Sequence, residues 1–167
     1  MKTNFRKGFT LIEILIVVAI IAILASVVLV GLGPTQQSGR DARRLSDLRE
    51  TQTGLELYYA KCGYYPGGTE SGSCGAFAAV STPAWTPMST ALTGSAIGVT
   101  SVPQDPTSGH TYYYSTDNVG AGYLLQATLE NANNSAFENY TAPATGAYTA
   151  GDSVKNSCKN PTYCLTL

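Results

Sequence analysis

Groups suited to catalysis or to nucleic-acid binding are scarce in this chain. Its 167 residues include one histidine, His110, and beyond Lys61 the only basic residues are Lys155 and Lys159. Phosphate binding needs clustered lysine and arginine side chains, so the sequence argues against a general nucleic-acid surface. His110 lies in a turn region of Gly, Pro and Ser, which favours a surface role over catalysis. We therefore expect neither an enzyme nor a specific nucleic-acid partner.

The chain also lacks the residue spacings of a zinc site. Four cysteines are present, but none form a CxxC pair and no pair of histidines accompanies them. Structural zinc sites combine such pairs into a four-ligand set. We therefore expect no zinc, and no other cofactor is indicated by these residues.

Charge is almost absent from one long segment. Residues 9–30 are apolar over about the length that crosses a bilayer as a helix, and Glu13 is their only ionisable side chain. A charge at that depth costs on the order of a few kcal/mol or more, so it is usually kept for a partner and a role. Three basic residues and no acidic one form a short leader that ends at Gly8: Lys2, Arg6 and Lys7.

The stretch from Gly8 to Glu13, with the basic leader before it, resembles class III signal sequences, the type IV prepilin leader. The resemblance implies that a prepilin peptidase cuts between Gly8 and Phe9 and methylates the new amino group of Phe9. It also implies that the Glu13 carboxylate meets the terminal amine of a neighbouring subunit during filament assembly. Such pairing relieves the desolvation cost that each charge carries alone. Phe9 and Glu13 share one helix face, so a pair within one subunit stays open as an alternative.

Three other interpretations of this segment fit less well. A conventional secretory signal ends in a small-x-small cleavage site, and Ile23 stands two residues before the candidate Ala25. An ordinary membrane anchor gives no reason for Glu13 or for Gly8. A buried helix of a soluble core is disfavoured by so long a run without charge. The prepilin interpretation is therefore preferred.

The leader also predicts the orientation of the chain. Positive residues that flank a short terminal tail tend to stay in the cytoplasm, which places the carboxyl-terminal domain outside. Arginines near the other end of the apolar run weaken this signal: Arg40, Arg43, Arg44 and Arg49. We expect a single-pass protein of the cytoplasmic membrane that becomes part of a periplasmic or extracellular filament after assembly.

An exported domain favours disulfides over metal binding for an even set of cysteines. The set comprises Cys62, Cys74, Cys158 and Cys164. Three connectivities are open. The local pairing, Cys62 with Cys74 and Cys158 with Cys164, is the simplest of them.

A second helical pattern follows the apolar run. Residues 9–33 are predicted to form a transmembrane and assembly helix, and residues 34–62 the amphipathic half of the same spine. The stretch Gly31-Leu32-Gly33-Pro34 predicts a kink or a locally melted turn, which is either a hinge or the boundary between two helices. Gly63 as a C-cap, with Pro66 just beyond it, predicts that the helix ends near Cys62.

The amphipathic half has one apolar stripe and one charged side. The stripe recurs at spacings of three, four or seven and comprises Ala42, Leu45, Leu48, Leu55 and Tyr59. Asp41 with Arg44 stands at helical contact spacing on the polar side. Arg43 with Asp47 stands at a similar spacing. We expect these charges to form a solvated face, with contacts to neighbouring subunits of a filament as the alternative.

The resemblance extends past the leader. The stretches 41–44, 55–59 and 63–66 look like the exit from the spine in major pseudopilins of type II secretion and in small bacterial type IV pilins. Asp105-Pro106, with Gly109 and Tyr112, resembles more weakly the pseudopilin turn that leads into the sheet. Secretion pseudopilins bind calcium through a loop in this part of the fold, which marks three weak calcium candidates: Asp105, Asp117 and Asp152. Isolated acidic turn residues more often only solvate the chain.

The rest of the chain predicts a connection and a small sheet. Residues 63–110 are a variable connecting region, rich in Gly, Ser, Thr, Ala and Pro, and residues 111–167 are the sheet region. Antiparallel strands are expected, from better to weaker support, at 111–115, 123–129, 148–154 and 162–167. A sheet laid over the amphipathic half would bury its stripe. The predicted fold is α+β, a ladle-shaped pilin architecture behind a leader at residues 1–8.

The predicted function is structural: a pilin-like subunit that polymerises through its amino-terminal helix into a pilus for adhesion, motility or DNA uptake. The resemblance implies partners in prepilin peptidase and in an inner-membrane assembly platform with its ATPase. One alternative is the major pseudopilin of a type II secretion system. The four cysteines favour the pilus, and the pattern from residue 41 to residue 66 favours the pseudopilus. An alternative of another class is a monomeric, membrane-anchored extracellular binding domain.

Overall fold

The computed structural model describes residues 8–67, 74, 85–117, 119–142, 148, 150–151 and 158–167. Its elements, in chain order, are α1 (Leu11–Cys62), α2 (Trp85–Gly94), β1 (Tyr113–Thr116), β2 (Tyr123–Thr128), a 3-10 turn (Ser135–Phe137), β3 (Ala150–Gly151) and β4 (Thr162–Thr166). Helices and a small antiparallel sheet confirm the predicted α+β class. The chain divides into two compact units, Met1–Gln37 and Ser38–Leu167, and each is described by itself.

The first unit is helical from Leu11 onward. α1 continues through residues 31–34 with Pro34 inside it, so the prediction of a melted turn, or of a boundary between two helices, is wrong. A proline inside a helix removes one hydrogen bond and costs about 3 kcal/mol. A break in the helix would leave several backbone amides and carbonyls without hydrogen-bond partners. The helix therefore continues through Pro34. The hinge at these residues stays a prediction.

The second unit holds the hydrophobic core, on a face of α1 that the sequence locates only in part. Leu48 and Leu55 are fully buried, as predicted, but Ala42 and Tyr59 are exposed. Tyr58 is buried in place of Tyr59. It joins side chains from α2, the sheet and the loop before it: Trp85, Met88, Leu92, Tyr112, Tyr114, Tyr123 and Leu125.

The charged side of α1 is not the solvated face that the sequence predicts. Asp41 and Arg44 are fully buried, whereas Arg43 is exposed. Both buried charges are satisfied by carboxylates and backbone amides from two distant loops, so burial does not leave them unpaired. Because α1 buries the side that carries Asp41 and Arg44, Ala42 and Tyr59 lie on its exposed side. The predicted apolar stripe is therefore wrong at its first and last residues.

α1 ends at Cys62, where the sequence predicts it. Gly63 follows with a φ of +78°, and its amide donates to the Tyr59 carbonyl over 2.7 Å. Glycine adopts this left-handed cap without a Cβ clash. The chain therefore leaves the helix at the residue that its sequence marks.

Two disulfides lie in the second unit. Cys62 is joined to Cys74 with an S–S distance of 2.02 Å, and Cys158 to Cys164 with one of 2.01 Å. This is the local pairing, and it leaves no free cysteine. Cys164 lies on β4, so the second disulfide ties that strand to the segment just before it.

The sheet is antiparallel with the strand order β3-β1-β2-β4. β1 pairs with β2 through Tyr114 opposite Leu125, and β2 pairs with β4 through Leu125 opposite Leu165. The strands predicted at 111–115, 123–129 and 162–167 are each found within two residues of those bounds. In the range 148–154 the sheet contains β3, and the residues after Gly151 lie outside the described part of the chain.

α2 is a helix where the sequence predicts an irregular connection. Its buried side chains are Trp85, Met88, Ala91 and Leu92, which are apolar at helical spacing. The Trp85 indole also donates to the Pro103 carbonyl over 3.1 Å. The Thr, Ser and Gly residues between them have modest helix propensity, so burial of the apolar face outweighs composition here.

Candidate functional site

Gly8 and Phe9 precede α1 and lie on the surface. A Cβ atom added to Gly8 would meet no atom within 4 Å, and the backbone of Gly8 is not in the left-handed region. The described structure therefore makes no demand for glycine at position 8. Phe9 is 85% exposed, so the peptide bond between the two residues is accessible in the single chain.

Glu13 and Thr10 form a reciprocal cap on the first turn of α1. The Thr10 amide donates to Oε2 of Glu13 over 2.7 Å, and the Thr10 hydroxyl donates to the same oxygen over 2.7 Å. In return, the Glu13 amide donates to the Thr10 hydroxyl over 3.3 Å. This is a capping box of the T-x-x-E kind, which satisfies two amides that a helix start leaves without partners. Thr10-Leu11-Ile12-Glu13 has the sequence of this motif, which the expectations from sequence did not include.

Phe9, just before α1, lies on the same side as Glu13 of the first turn, as the sequence predicts. Both line a shallow apolar recess together with Ile14, Ile16 and Val17. Thr10 uses Oε2 of Glu13, whereas Oε1 accepts no hydrogen bond from any residue that the structure describes. A carboxylate has about four acceptor sites on its two oxygens. The acid therefore keeps acceptor capacity for a donor from outside the chain.

An apolar surface surrounds this acid. The large apolar side chains described between Phe9 and Val28 are all exposed, from 51% at Val17 to 85% at Phe9. Contiguous apolar surface of this kind marks a binding or membrane surface in a functional protein. Within the described residues, no helix is long and apolar enough to cross a membrane. The transmembrane role of residues 9–33 stays a prediction.

Arg44 forms the centre of a second cluster, in the second unit. Its guanidinium donates to both carboxylate oxygens of Asp105, over 2.8 and 3.0 Å. It also donates to Asp41 over 2.8 Å, to Glu130 over 2.9 Å and to the Thr107 hydroxyl over 2.9 Å. These bonds use all five N–H donors of an arginine. The side chain is 0% exposed, so the cluster is fully satisfied as well as buried.

Asp41 joins this cluster to the backbone of the loop after β2. Its Oδ1 accepts from the Glu130 amide over 2.9 Å, and its Oδ2 accepts from the Asn131 amide over 3.0 Å. Glu130 in turn accepts from Arg40 over 2.7 and 2.5 Å. The residues of this group are called the Arg44 cluster below: Arg40, Asp41, Arg44, Asp105, Thr107 and Glu130.

The charges of the Arg44 cluster shift one another's titration. Hydrogen bonds from Arg40 and Arg44 lower the pKa of Glu130 to about 2, against the opposing effect of burial. Burial would raise the pKa of Asp105, but hydrogen bonds from Arg44 and from the Thr107 amide bring it below its ordinary value. The hydrogen bond to Asp105 is the largest cause that raises the pKa of Arg44. All three groups are therefore charged at neutral pH.

A buried tyrosine supports the same side of α1. The Tyr112 hydroxyl donates to Oδ2 of Asp47 over 2.7 Å, and Tyr112 is 1% exposed. Burial, followed by the bond to Asp47, raises the pKa of the Tyr112 hydroxyl. Asp47 also lies 3.9 Å from Nε of Arg43, so the predicted pair of Arg43 with Asp47 exists but is long.

The structure describes two of the three weak calcium candidates, and each is bound by groups of its own chain. Asp105 is bound to Arg44. Asp117 accepts from the Val119 and Ala121 amides, over 3.1 and 2.8 Å, and so closes the turn after β1. Asp152 lies outside the described residues. Among the residues that are described, no three acidic, cysteine or histidine side chains form a group that could hold a metal ion. His110 is exposed, as predicted.

Comparison with known proteins agrees with the geometry of the amino-terminal segment. Residues 3–29 match the family described as the prokaryotic N-terminal methylation motif. A stretch of 64 residues is 33% identical to type II secretion system core protein G of Escherichia coli (strain K12). That match covers 38% of this chain and 44% of the relative, which is less than half the length of either protein. No solved structure matches the chain significantly.

The resemblance to type IV pilins and type II secretion pseudopilins is thereby confirmed for the amino-terminal part of the chain. The methylation motif spans Gly8, Phe9 and Glu13. Together the two matches support a pilin-like subunit. They leave the choice between a pilus and a secretion pseudopilus open.

Proposed function

We propose, on the premise of the prepilin-type segment at its start, that this chain is a structural subunit of a type IV filament. A prepilin peptidase removes residues 1–8 and methylates the new amino group of Phe9, and α1 then mediates polymerisation. The observation that carries the proposal is Glu13, the single acid of the apolar run, beside an exposed Gly8–Phe9 bond. Because nothing in the described fold requires glycine at position 8, recognition by a peptidase supplies the reason for it.

Cleavage creates the countercharge for Glu13. A free amino terminus has a pKa near 7.7–8.0 and is positive at neutral pH. Oε1 of Glu13 has no donor among the described residues, while Oε2 is held by Thr10. The amine of a neighbouring copy would supply that donor and neutralise both charges in apolar surroundings. A pair within one subunit would neutralise each copy alone and would give no reason for association.

Before assembly we place the subunit in the cytoplasmic membrane, with the Ser38–Leu167 unit outside. The apolar run of residues 9–30 and the basic leader support this placement. The two disulfides of the second unit support an oxidising compartment. The partners in this proposal are prepilin peptidase and an inner-membrane assembly platform with its ATPase.

The decisive experiment separates the charge of Glu13 from its capping role. Glu13→Gln keeps the capping box, because glutamine also serves at that position, but it removes the charge. Glu13→Ala removes both. We expect both variants to insert into the membrane at normal levels and to form no filaments by electron microscopy. Filaments of Glu13→Gln in normal amounts would show that the charge is dispensable and would overturn the pairing.

Glu13→Ala also tests the alternative that the chain is a monomeric, membrane-anchored binding domain. Such a domain needs no countercharge for Glu13, so it predicts that surface display and ligand binding by Glu13→Ala are unchanged and that the wild type forms no fibres. Fibres that contain the wild-type chain and are absent from Glu13→Ala cells would exclude it.

Two functions of such a filament are candidates, and the first is a pilus for adhesion, motility or DNA uptake. A secretion pseudopilus is the second, and the similarity to type II secretion system core protein G favours it. Deletion of the gene separates them. Loss of surface fibres with normal export of secreted enzymes supports the pilus, and loss of exported enzymes supports the pseudopilus.

A further inference from the structure

We propose that Arg49 of one copy binds in a groove on the second unit of a neighbouring copy, where it pairs with the Glu50 of that copy. This inference rests on the proposed filament and adds a contact between folded units to it. The contact joins two different patches of the same chain. Heterologous contacts of that kind repeat without closing when the rotation does not form a ring, and they then generate filaments.

The groove has an apolar wall and a carboxylate at its edge. It encloses about 320 Å³, and its lining includes Leu57 of α1, Leu92 of α2, and Val99 and Val102 from the segment after α2. Glu50 also lines it and is exposed. An arginine side chain fits this combination, since its aliphatic stem packs on apolar surface while its guanidinium pairs with a carboxylate.

Glu50 lacks a partner in the part of the chain that the structure describes. The structure records no hydrogen bond or ion pair for its carboxylate, among the residues it describes, whereas Glu56 accepts from two side chains and Glu130 from three. An acid that lines an apolar groove and that the described residues leave unpaired is suited to bind a cation from outside.

Arg49 is the matching cation. The other described arginines all contact acids of their own chain: Arg40 pairs with Glu130, Arg44 with three carboxylates, and Arg43 with Asp47 at 3.9 Å. Arg49 is exposed, and the structure records no side-chain partner for it among the described residues. It thus has the opposite charge and the same unpaired state as Glu50.

The two residues cannot satisfy each other within one chain. They are consecutive on α1, and side chains at i and i+1 of a helix point in directions about 100° apart. A second copy must therefore bring Arg49 to the groove. Lys159 is another exposed cation, but interfaces favour arginine over lysine, so Arg49 is the expected occupant and Lys159 is a matched control.

A charge swap in the full-length chain tests the pairing. Arg49→Glu alone, and Glu50→Arg alone, place like charges together, and we expect each to lower filament yield about tenfold or more. The double variant Arg49→Glu/Glu50→Arg restores the pair with its polarity reversed, and we expect it to regain at least half of the wild-type yield. Lys159→Glu makes the same charge change elsewhere and should leave the yield unchanged. Membrane levels and thermal unfolding midpoints verify that each variant folds.

Each alternative result contradicts the inference. Normal filament yield from either single variant would show that the contact is absent. A low yield from both single variants that the double variant does not restore would show the same. A loss confined to Lys159→Glu would assign the groove to another cation. All three results leave the proposed function intact, because wild-type filaments are present in each.

A photo-crosslink detects the contact between Arg49 and the groove of another copy even if wild-type filaments do not form. Benzoylphenylalanine in place of Ser101, on the groove wall, is introduced into the full chain in membranes that also contain isotope-labelled copies. We expect an adduct between copies on the peptide that contains Arg49. Adducts elsewhere, or none between copies, would overturn the inference. Absence of filaments together with the expected adduct would count against the proposed function alone.

Discussion

In the first unit, α1 exposes its apolar side chains and carries one acid among them, whereas in the second unit the same helix fully buries two charged side chains, Asp41 and Arg44, beside its apolar core. Among the described residues, the Glu13 carboxylate accepts hydrogen bonds only from Thr10. Asp41 and Arg44 contact loops that lie 61 to 93 residues away in sequence. One stretch of helix thus leaves its surface and its acid for partners outside the chain. The other pairs its buried charges, Asp41 and Arg44, inside the chain.

The difference follows from what each stretch can reach. A buried charge is tolerated when opposite charges and hydrogen bonds surround it. The loops at Asp105–Thr107 and at Glu130–Asn131 supply these to Arg44 and Asp41. Nothing in the described part of the first unit supplies them to Oε1 of Glu13. The pairing of buried charges within the chain therefore distinguishes the interior of the folded unit from the assembly segment around Glu13.

The largest expected effect comes from breaking the Arg44 cluster. Arg44→Met leaves Asp41, Asp105 and Glu130 without their shared cation, so we expect the free energy of unfolding to fall by about 3–5 kcal/mol. Urea unfolding followed by circular dichroism measures the change. Arg43→Met is the matched control, since Arg43 is exposed and its ion pair is long, and it should cost about 1 kcal/mol or less. Equal losses in both variants would remove the distinction between buried and solvated charges.

A smaller loss is expected from the tyrosine that supports Asp47. Tyr112→Phe removes a buried hydrogen bond to a carboxylate, which is worth about 1.5–3 kcal/mol. Tyr163→Phe removes a hydroxyl for which the described structure records no partner, and its effect should stay within about 0.5 kcal/mol. Thermal unfolding of the two variants measures the difference. A ranking in the opposite order would contradict the placement of Tyr112.

Acid should release the Arg44 cluster in a defined pH window. The pKa of Glu130 is lowered from 4.5 to about 2 in the folded chain. Its contribution is therefore complete above pH 4.5 and is lost as the pH falls towards 2. Because Glu130 is 20% exposed, we expect a modest loss, about 1 kcal/mol, for Glu130→Gln at pH 7.

The matched comparison is the unfolding midpoint of wild type and Glu130→Gln from pH 7 to pH 2. The gap between the two curves should close as the pH falls from 4.5 to 2. A gap that stays constant over that window would show that ionised Glu130 contributes nothing specific.

The smallest effect concerns the start of α1. Thr10→Val removes the hydroxyl that completes the capping box and should destabilise the first turn by about 1 kcal/mol. Thr10→Ser keeps the hydroxyl and should behave as the wild type does. Amide hydrogen exchange of residues 11–14 measures both. Unchanged exchange in Thr10→Val would show that the cap does not hold the turn.

The sequence predicted features that depend on neighbouring residues. The Gly8–Glu13 motif, the helix end at Cys62 and Gly63, and the strand at Tyr123–Thr128 all show in short local patterns. The capping box is also legible in Thr10 and Glu13, although an acid within an apolar run points first to a role in assembly.

The Arg44 cluster could not be predicted in the same way. The spacing of Asp41 and Arg44 is the same for a solvated pair and for a buried one. What decides between them is the approach of Asp105 and Glu130, which is a tertiary contact without a local signature. α2 was missed for a different reason: its apolar residues have helical spacing, but the Thr, Ser and Gly among them suggested a loop.

Mass spectrometry of fibres sheared from cells that express this chain tests the central claim most directly. We expect the fibres to contain a chain that begins with N-methylated Phe9 and lacks residues 1–8. Fibres whose subunits still carry Met1 to Gly8, or fibres from which this chain is absent, would contradict the account.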